Sequence, residues 1–226
     1  MIVLVRHGET APNRRGAALG RADVPLTPRG HRQAHAVAEA LLALTDGTAR
    51  RPVADRSPTQ APVRSPVVSS PLRRARQTAE VIAARLGVDV VLDDRLVELD
   101  YGAWDTLDWS ELPREALARW RADPSFAPPG GESLTAVARR MASFCAQHLP
   151  DPRQEPGDGS AGGPVVAVSH VSPIKAAVTW ALGVDVGRSW HMHLDLASIT
   201  RLRRTPGGVT LASFNETAHL HHRPRG

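Results

Sequence analysis

Three short strand-like runs set the strongest limit on how this chain can fold: Met1–Val5, Pro66–Ser70 and Val165–Ser169. Short apolar, valine-rich runs of this kind suit strands buried on both faces, the situation inside a parallel sheet. Helical spacing lies behind each of them. Thr27-Pro28 reads as an N-cap with proline at the first helical position, and Ala34, Val37, Ala38, Leu41 and Leu42 then keep one face. Ala75, Ala79, Ile82, Ala83 and Leu86 form a second such face, followed by a strand at Val88–Leu92. After Val165–Ser169 the face is Ile174, Ala177, Val178 and Ala181. Strands alternating with helices predict an α/β fold, a three-layer sandwich whose mostly parallel central sheet carries helices on both faces. Ser198–Arg203 and Val209–Phe214, joined by Pro206-Gly207-Gly208, predict a closing hairpin and hence an antiparallel edge. Two more helices are expected near Leu112–Ala122 and at Leu134–Gln147, separated by the breaker FAPPGG.

With 226 residues, 42% of them hydrophobic and 23% charged, the chain reads as one globular domain, 1–226, with polar flexible loops at 45–64 and 150–164. The single cysteine, Cys145, excludes a disulfide framework and a cysteine-built zinc site. No run approaches the roughly 18 apolar residues of a membrane span. The stretch MIVLV before Arg6 is too short for a signal peptide, so a cytoplasmic protein without a membrane partner is expected.

Net charge is +5, and among the 28 basic side chains only Lys175 is a lysine. Arginine forks suit phosphate groups, which leaves nucleic acid and a small phosphorylated substrate both open on composition. The distribution removes the surplus from the argument. Residues 45–64 carry four arginines against two aspartates, and residues 201–226 carry five against one glutamate. The basic excess therefore belongs to those two segments.

Ligands of open α/β sheets bind at the carboxyl ends of the strands. Here the first run leads into Arg6-His7-Gly8-Glu9-Thr10, the second into Ser69-Ser70-Pro71-Leu72-Arg73-Arg74, and the later one into Ser169-His170, with Glu98-Leu99-Asp100-Tyr101 following the third strand. Two histidines, two arginines and a carboxylate on one rim form a phosphoryl-transfer constellation.

The motif RHGET (6–10) with Asn13 resembles the signature of the histidine phosphatase (phosphoglycerate mutase-like) superfamily. The resemblance continues in order through Gly20, Pro25-Leu26-Thr27, SSPLRRARQTA (69–79), ELDYGAW (98–104), PPGGES (128–133), VSH (168–170) and NETAHL (215–220). From ELDYGAW through WSELPREALARW to PPGGES the chain is most similar to alpha-ribazole phosphatases of cobalamin assembly. The resemblance implies His7 as nucleophile, Arg6 and Arg74 as phosphate clamp, His170 as donor to the phosphoryl oxygens and Glu98 as general acid. It also implies that Asn13, Gly20 and Tyr101 bind substrate, and that no metal or other cofactor is needed. A nucleophilic imidazole needs its second nitrogen bonded, and a backbone carbonyl in the Gly8 turn is the expected partner. Arg73 is expected to be a solvated helix charge, and His170 to be protonated when substrate is bound.

Three positions depart from the commoner pattern of that family: Leu19, Thr106 and Val171, the last two where glycine is frequent. Trp104, Trp109 and Trp120 are expected to pack a lid over the strand ends. His191 and His193, two apart, would share one strand face, most simply as a solvated edge, and the tail histidines 219, 221 and 222 read as a polar end. The expected partner is a small phosphorylated substrate rather than nucleic acid, with the chain a monomer or homodimer. The expected reaction is phosphomonoester hydrolysis with alpha-ribazole 5′-phosphate as leading substrate; a broad-specificity phosphatase, a phosphoglycerate mutase and a catalytically silent binding module are the alternatives.

Overall fold

A computed structural model describes residues 1–48, 65–149 and 164–221. Among the described residues six strands form one sheet: β1 (Ile2–Arg6), β2 (Val67–Ser69), β3 (Val90–Leu92), β4 (Val165–Ser169), β5 (Ile199–Thr205) and β6 (Gly208–Glu216). Their order is β3-β2-β4-β1-β5-β6, with β3, β2, β4 and β1 mutually parallel and the β5–β6 hairpin antiparallel. The hairpin expected from Pro206-Gly207-Gly208 thus supplies the antiparallel edge.

Among the described residues six α-helices accompany the sheet: α1 (Ala11–Arg15), α2 (Pro28–Thr48), α3 (Arg73–Leu86), α4 (Arg114–Ala122), α5 (Leu134–His148) and α6 (Val171–Leu182). Thr27 caps α2 as its sequence suggests, its hydroxyl accepting the Gly30 N–H at 3.1 Å. Ser133 caps α5 on the Ala136 N–H, while Gly87 and Gly183 in the left-handed region close α3 and α6. The loop expected from residue 45 instead begins as helix, since α2 runs to Thr48. Residues 49–64 and 150–163, which hold the rest of both expected loops, lie outside the described residues, as does His222. The short α1 was not expected, because its five residues hold too little periodicity to read.

Alternation along β1 divides the interior in two. Val3 and Val5 face α2 and α3, whereas Ile2 and Leu4 face α5, α6 and the aromatic segment that includes α4. Central strands covered on both sides explain the continuous apolar runs. Among the described residues no helix is long and apolar enough to cross a membrane.

Candidate active site

The site stands where β1, β2 and β4 end side by side. The parallel register of β1 and β4 sets Arg6 beside Ser169, and the His7 N–H continues the ladder onto the Ser169 carbonyl at 3.0 Å. His7 and His170 therefore leave the sheet at one level, with ring centroids 5.0 Å apart, and both are buried.

His7 Nδ1–H donates to the Gly8 carbonyl at 2.7 Å, the partner expected from sequence. Arg74 Nε–H donates to the other nitrogen, Nε2, at 3.2 Å. A carbonyl only accepts and a guanidinium only donates, so the pair of bonds assigns the tautomer with its lone pair on Nε2. The turn depends on close backbone approach, since a Cβ on Gly8 would lie 2.5 Å from the Gly30 carbonyl oxygen. Burial, then the guanidinium groups of Arg74 and Arg6, hold His7 well below the ordinary imidazole range. The ring is neutral at pH 7.

Arg74 occupies the second position of α3 and is fully buried. Its Nη1 donates to the Ala22 carbonyl at 2.9 Å and its Nη2 to the Gly20 carbonyl at 2.7 Å. Burial lowers its pKa to about 10, opposed by Glu98, Asp105 and Asp23, so it stays a cation at neutral pH. Arg73, one residue earlier, is exposed as expected. Arg6 gives Nη1 to the Leu194 carbonyl at 2.6 Å, while its buried Nε has no partner. His170 Nε2 lies 2.7 Å from Ser70 Oγ, and its buried Nδ1 is likewise unpartnered. Buried nitrogens are usually paired, so the Arg6 Nε–H marks a place where an acceptor belongs, and a protonated His170 would offer Nδ1–H as a second donor. Burial first, then Arg74, His7 and Arg6, also hold His170 well below its ordinary range. Protonation of His170 would thus require added negative charge nearby.

Glu98 is 2% exposed and rests on the start of α6. Oε1 accepts from the Leu99 N–H at 2.7 Å and the Ser172 N–H at 3.3 Å, and Oε2 from the Val171 N–H at 3.1 Å. A helix N-terminus suits a carboxylate there. Asp100 and Asp105 are less buried, Asp100 holding the Gly102 N–H in its own turn. Tyr101 is buried, its hydroxyl against the Ser172 side chain and its ring edge-on to Trp109 and Trp120. Burial, reinforced by Glu98, pushes the phenol up.

Other expected site residues are placed differently. Asn13 Oδ1 accepts from the Thr10 N–H at 3.2 Å and the Thr10 hydroxyl at 2.8 Å, capping α1. Gly20 does not offer its backbone to a ligand: its N–H goes to Asp105 Oδ1 at 2.7 Å and its carbonyl to Arg74. His191 and His193 share no strand face, because a 3-10 turn (Val186–His191) ends at the first and the second lies in an irregular stretch, 3.0 Å from Asp195 Oδ1. His219 is more than a polar end. It donates from Nε2 to the Ala197 carbonyl at 2.9 Å, and Ala197 N–H in turn holds the His7 carbonyl at 3.1 Å.

Over residues 2–217 the chain matches the family model described as Histidine phosphatase superfamily (branch 1). The chain belongs to the histidine phosphatase superfamily. One relative is the bifunctional protein Rv2228c of Mycobacterium tuberculosis, 36% identical over 223 residues, a match covering 97% of this chain and 54% of that protein. The chain thus spans about half the length of the first curated relatives it matches. Phosphoserine phosphatase 1 of Hydrogenobacter thermophilus is 30% identical, with 97% of this chain and 93% of that protein covered. Among solved structures, mycobacterial glucosyl-3-phosphoglycerate phosphatase Rv2419c in complex with VO3 has a TM-score of 0.76 at 30% identity, covering 96% and 99% of the two chains.

Three side chains of the site were missed by sequence reasoning. Glu9 is buried and accepts from the Thr27 hydroxyl at 2.8 Å and from Arg14 at 3.0 Å, tying the strand end to α2. Its place inside RHGET was the available signal. Ser70 orients His170, and its neighbourhood to the strand end was equally legible. Asp105, an acid directly after ELDYGAW, holds Gly20 and Ala22 across more than 80 residues, and nothing local shows those partners.

Proposed function

We propose that this chain is a metal-independent phosphomonoesterase working through a phosphohistidine at His7. The observation that carries this reading is the neutral His7, its Nε2 lone pair aimed into a buried cluster of Arg6, Arg74 and His170. In the first half-reaction Nε2 bonds to phosphorus while the bond from phosphorus to the ester oxygen breaks. Arg6, Arg74 and His170 receive the charge on the other phosphoryl oxygens; the Arg74 Nε–H releases the His7 lone pair as phosphorus enters and bonds a phosphoryl oxygen beside it. Glu98, which must carry its proton in the substrate complex, delivers it to the departing oxygen and is left as the carboxylate that the α6 N–H groups hold. In the second half-reaction water bonds to phosphorus, the bond to Nε2 breaks, Glu98 takes the proton, and inorganic phosphate leaves. Asn13, whose amide oxygen is taken by Thr10, and Tyr101 would contact the leaving group, and Gly20 serves by holding Arg74. The guanidinium and imidazole groups do the charge work that a metal would otherwise do.

His7→Ala is expected to lower hydrolysis of an aryl phosphate by at least ~10³-fold, while EDTA leaves the native rate unchanged. Full activity in His7→Ala overturns the reading.

The leading substrate is alpha-ribazole 5′-phosphate, supported by the 98–133 stretch that is similar to the phosphatases of cobalamin assembly. A second reading, a phosphomonoester that also carries a carboxylate, is favoured by the 30% likeness to a phosphoserine phosphatase and to a glucosyl-3-phosphoglycerate phosphatase. A kinetic panel of these three esters separates the readings by kcat/KM. Phosphoglycerate isomerisation primed by a bisphosphate would identify a mutase instead. A silent binding module is opposed by His7, Arg74 and Glu98 all standing in one site, and salt-sensitive binding of nucleic acid without hydrolysis would restore it.

A further inference from the structure

The backbone from residue 18 to residue 22 is gripped from two sides. On one side, Asp105 Oδ1 accepts the Gly20 N–H at 2.7 Å and Oδ2 accepts the Ala22 N–H at 2.8 Å. On the other, Arg74 Nη2 donates to the Gly20 carbonyl at 2.7 Å and Nη1 to the Ala22 carbonyl at 2.9 Å. The same two residues are thus held at their N–H groups by one side chain and present both carbonyls to the other. A short ladder beside them locks the partner segment in place: Thr106 N–H donates to the Ala18 carbonyl at 2.8 Å and Ala18 N–H to the Leu107 carbonyl at 2.9 Å. Arg21, between the two gripped residues, donates from Nε to the Glu98 carbonyl at 3.0 Å.

This arrangement decides where Arg74 points. A guanidinium is a planar fork, so placing both terminal nitrogens on fixed carbonyls also fixes the direction of Nε. That third nitrogen is the one on His7 Nε2, at 3.2 Å. We propose that Asp105 is a positioning residue, which aims Arg74 at His7 by fixing the two carbonyls that the arginine fork requires. Asp105 directly follows Trp104, whose ring packs edge-on against Trp120, so one carboxylate links the aromatic segment to the backbone that Arg74 grips. The proposal rests on the reading of His7 as the phosphoryl acceptor.

Asp105→Asn and Asp105→Ala test it. Asparagine keeps the shape but offers one acceptor oxygen where two N–H groups need one each; alanine offers none. The charged and titratable groups facing His7 are Arg74 from α3, Arg6 from β1 and His170 from the start of α6, and of these only Arg74 is held through Asp105. In the native protein the His7 ring, followed by NMR, should titrate well below 6.5. Freeing Arg74 removes part of the nearby positive charge, so the His7 titration should move upward toward 6.5 in Asp105→Ala, and the acid limb of kcat/KM should move with it. Turnover should fall by roughly 10²-fold in Asp105→Ala, the scale of a misplaced reacting group, and by less in Asp105→Asn. Loss of packing alone would lower the active fraction without moving either titration. If Asp105→Ala fails to fold, the isosteric Asp105→Asn carries the same readouts. Unmoved titrations in a folded variant overturn the positioning role. A native protein that hydrolyses no phosphomonoester, but whose His7 titration responds to Asp105, overturns the proposed reaction and leaves the positioning role standing.

Discussion

The two faces of the sheet are built from different materials. Against α2 and α3 the buried side chains are small and aliphatic: Val3, Val5, Val37, Ala38, Ala75, Ala79 and Ile82 among them. Against α5, α6 and the segment around α4 the interior is aromatic, with Tyr101, Trp104, Trp120 and Phe144 buried and Trp109, Trp180 and Trp190 packed on them. Trp120 is the hub of this second region, stacked on Trp109 at 5.8 Å and edge-on to Trp190 at 4.2 Å between centroids. Small aliphatic side chains let helices approach the sheet closely and hold a fixed frame. The large rings come partly from irregular segments, as at Tyr101 and Trp109, and partly from helices, as at Trp120 on α4 and Phe144 on α5. The site lies on the seam, taking Arg74 from the aliphatic side and Glu98 from the aromatic one. Chemistry and selectivity are therefore expected to be separable by mutation.

Trp120→Ala should break the aromatic side, lowering stability by ~3–5 kcal/mol and changing the ratio of kcat/KM between two phosphomonoesters. Ile82→Ala, on the other face, should lower stability by ~2–5 kcal/mol and leave that ratio alone. Denaturant melts with paired kinetics check both, and equal changes in selectivity would erase the distinction. Arg74→Ala should lower turnover ~10²–10³-fold for every ester alike, as loss of a charge-stabilising donor does; an effect confined to one ester would assign the arginine to selectivity.

The seam should also show in the pH dependence of stability. His7 and His170 are held below the imidazole value of 6.5 in the folded chain, so below that pH the unfolded chain binds more protons. Stability should fall as pH drops from 6.5 toward their folded values, by at most about 1.4 kcal/mol per pH unit for each ring. Thermal melts from pH 7 to 5 on the native protein and on His170→Asn measure the share of one ring. The smallest effect is expected at Thr106, which holds φ at +68° on the edge of the aromatic segment. Thr106→Gly should relieve that strain and raise stability by ~0.5–1 kcal/mol, a shift readable as a higher Tm.

The aliphatic face was legible in the sequence because periodicity carries it: Ala75, Ala79, Ile82, Ala83 and Leu86 recur at helical spacing and are the buried apolar residues of α3. Strand ends were legible for a similar reason, and with them Arg6, His7, Arg74 and His170. The Gly8 carbonyl was foreseen because a neutral nucleophilic ring needs an acceptor within reach. What escaped was fixed by tertiary contact. Gly20 looks like a ligand contact in sequence, but its two polar groups are claimed by Asp105 and Arg74, which lie 85 and 54 positions away. His191 and His193 alternate as strand residues would, yet the 3-10 turn beside α6 overrides that pattern. Thr106 occupies a backbone conformation suited to glycine, which agrees with its standing where the family pattern often has glycine.

The register between β1 and β4, with Arg6 opposite Ser169, has an evolutionary consequence. The spacing of the two imidazoles is set by main-chain hydrogen bonds that every residue type can make, so drift in the surrounding side chains cannot retune it. A lineage built on this ladder can trade tryptophans, lengthen loops and change clients while its two histidines stay in step. A single-residue insertion in either strand would put them out of step at once. Diversification of such a scaffold is therefore channelled into the segments that never enter the sheet.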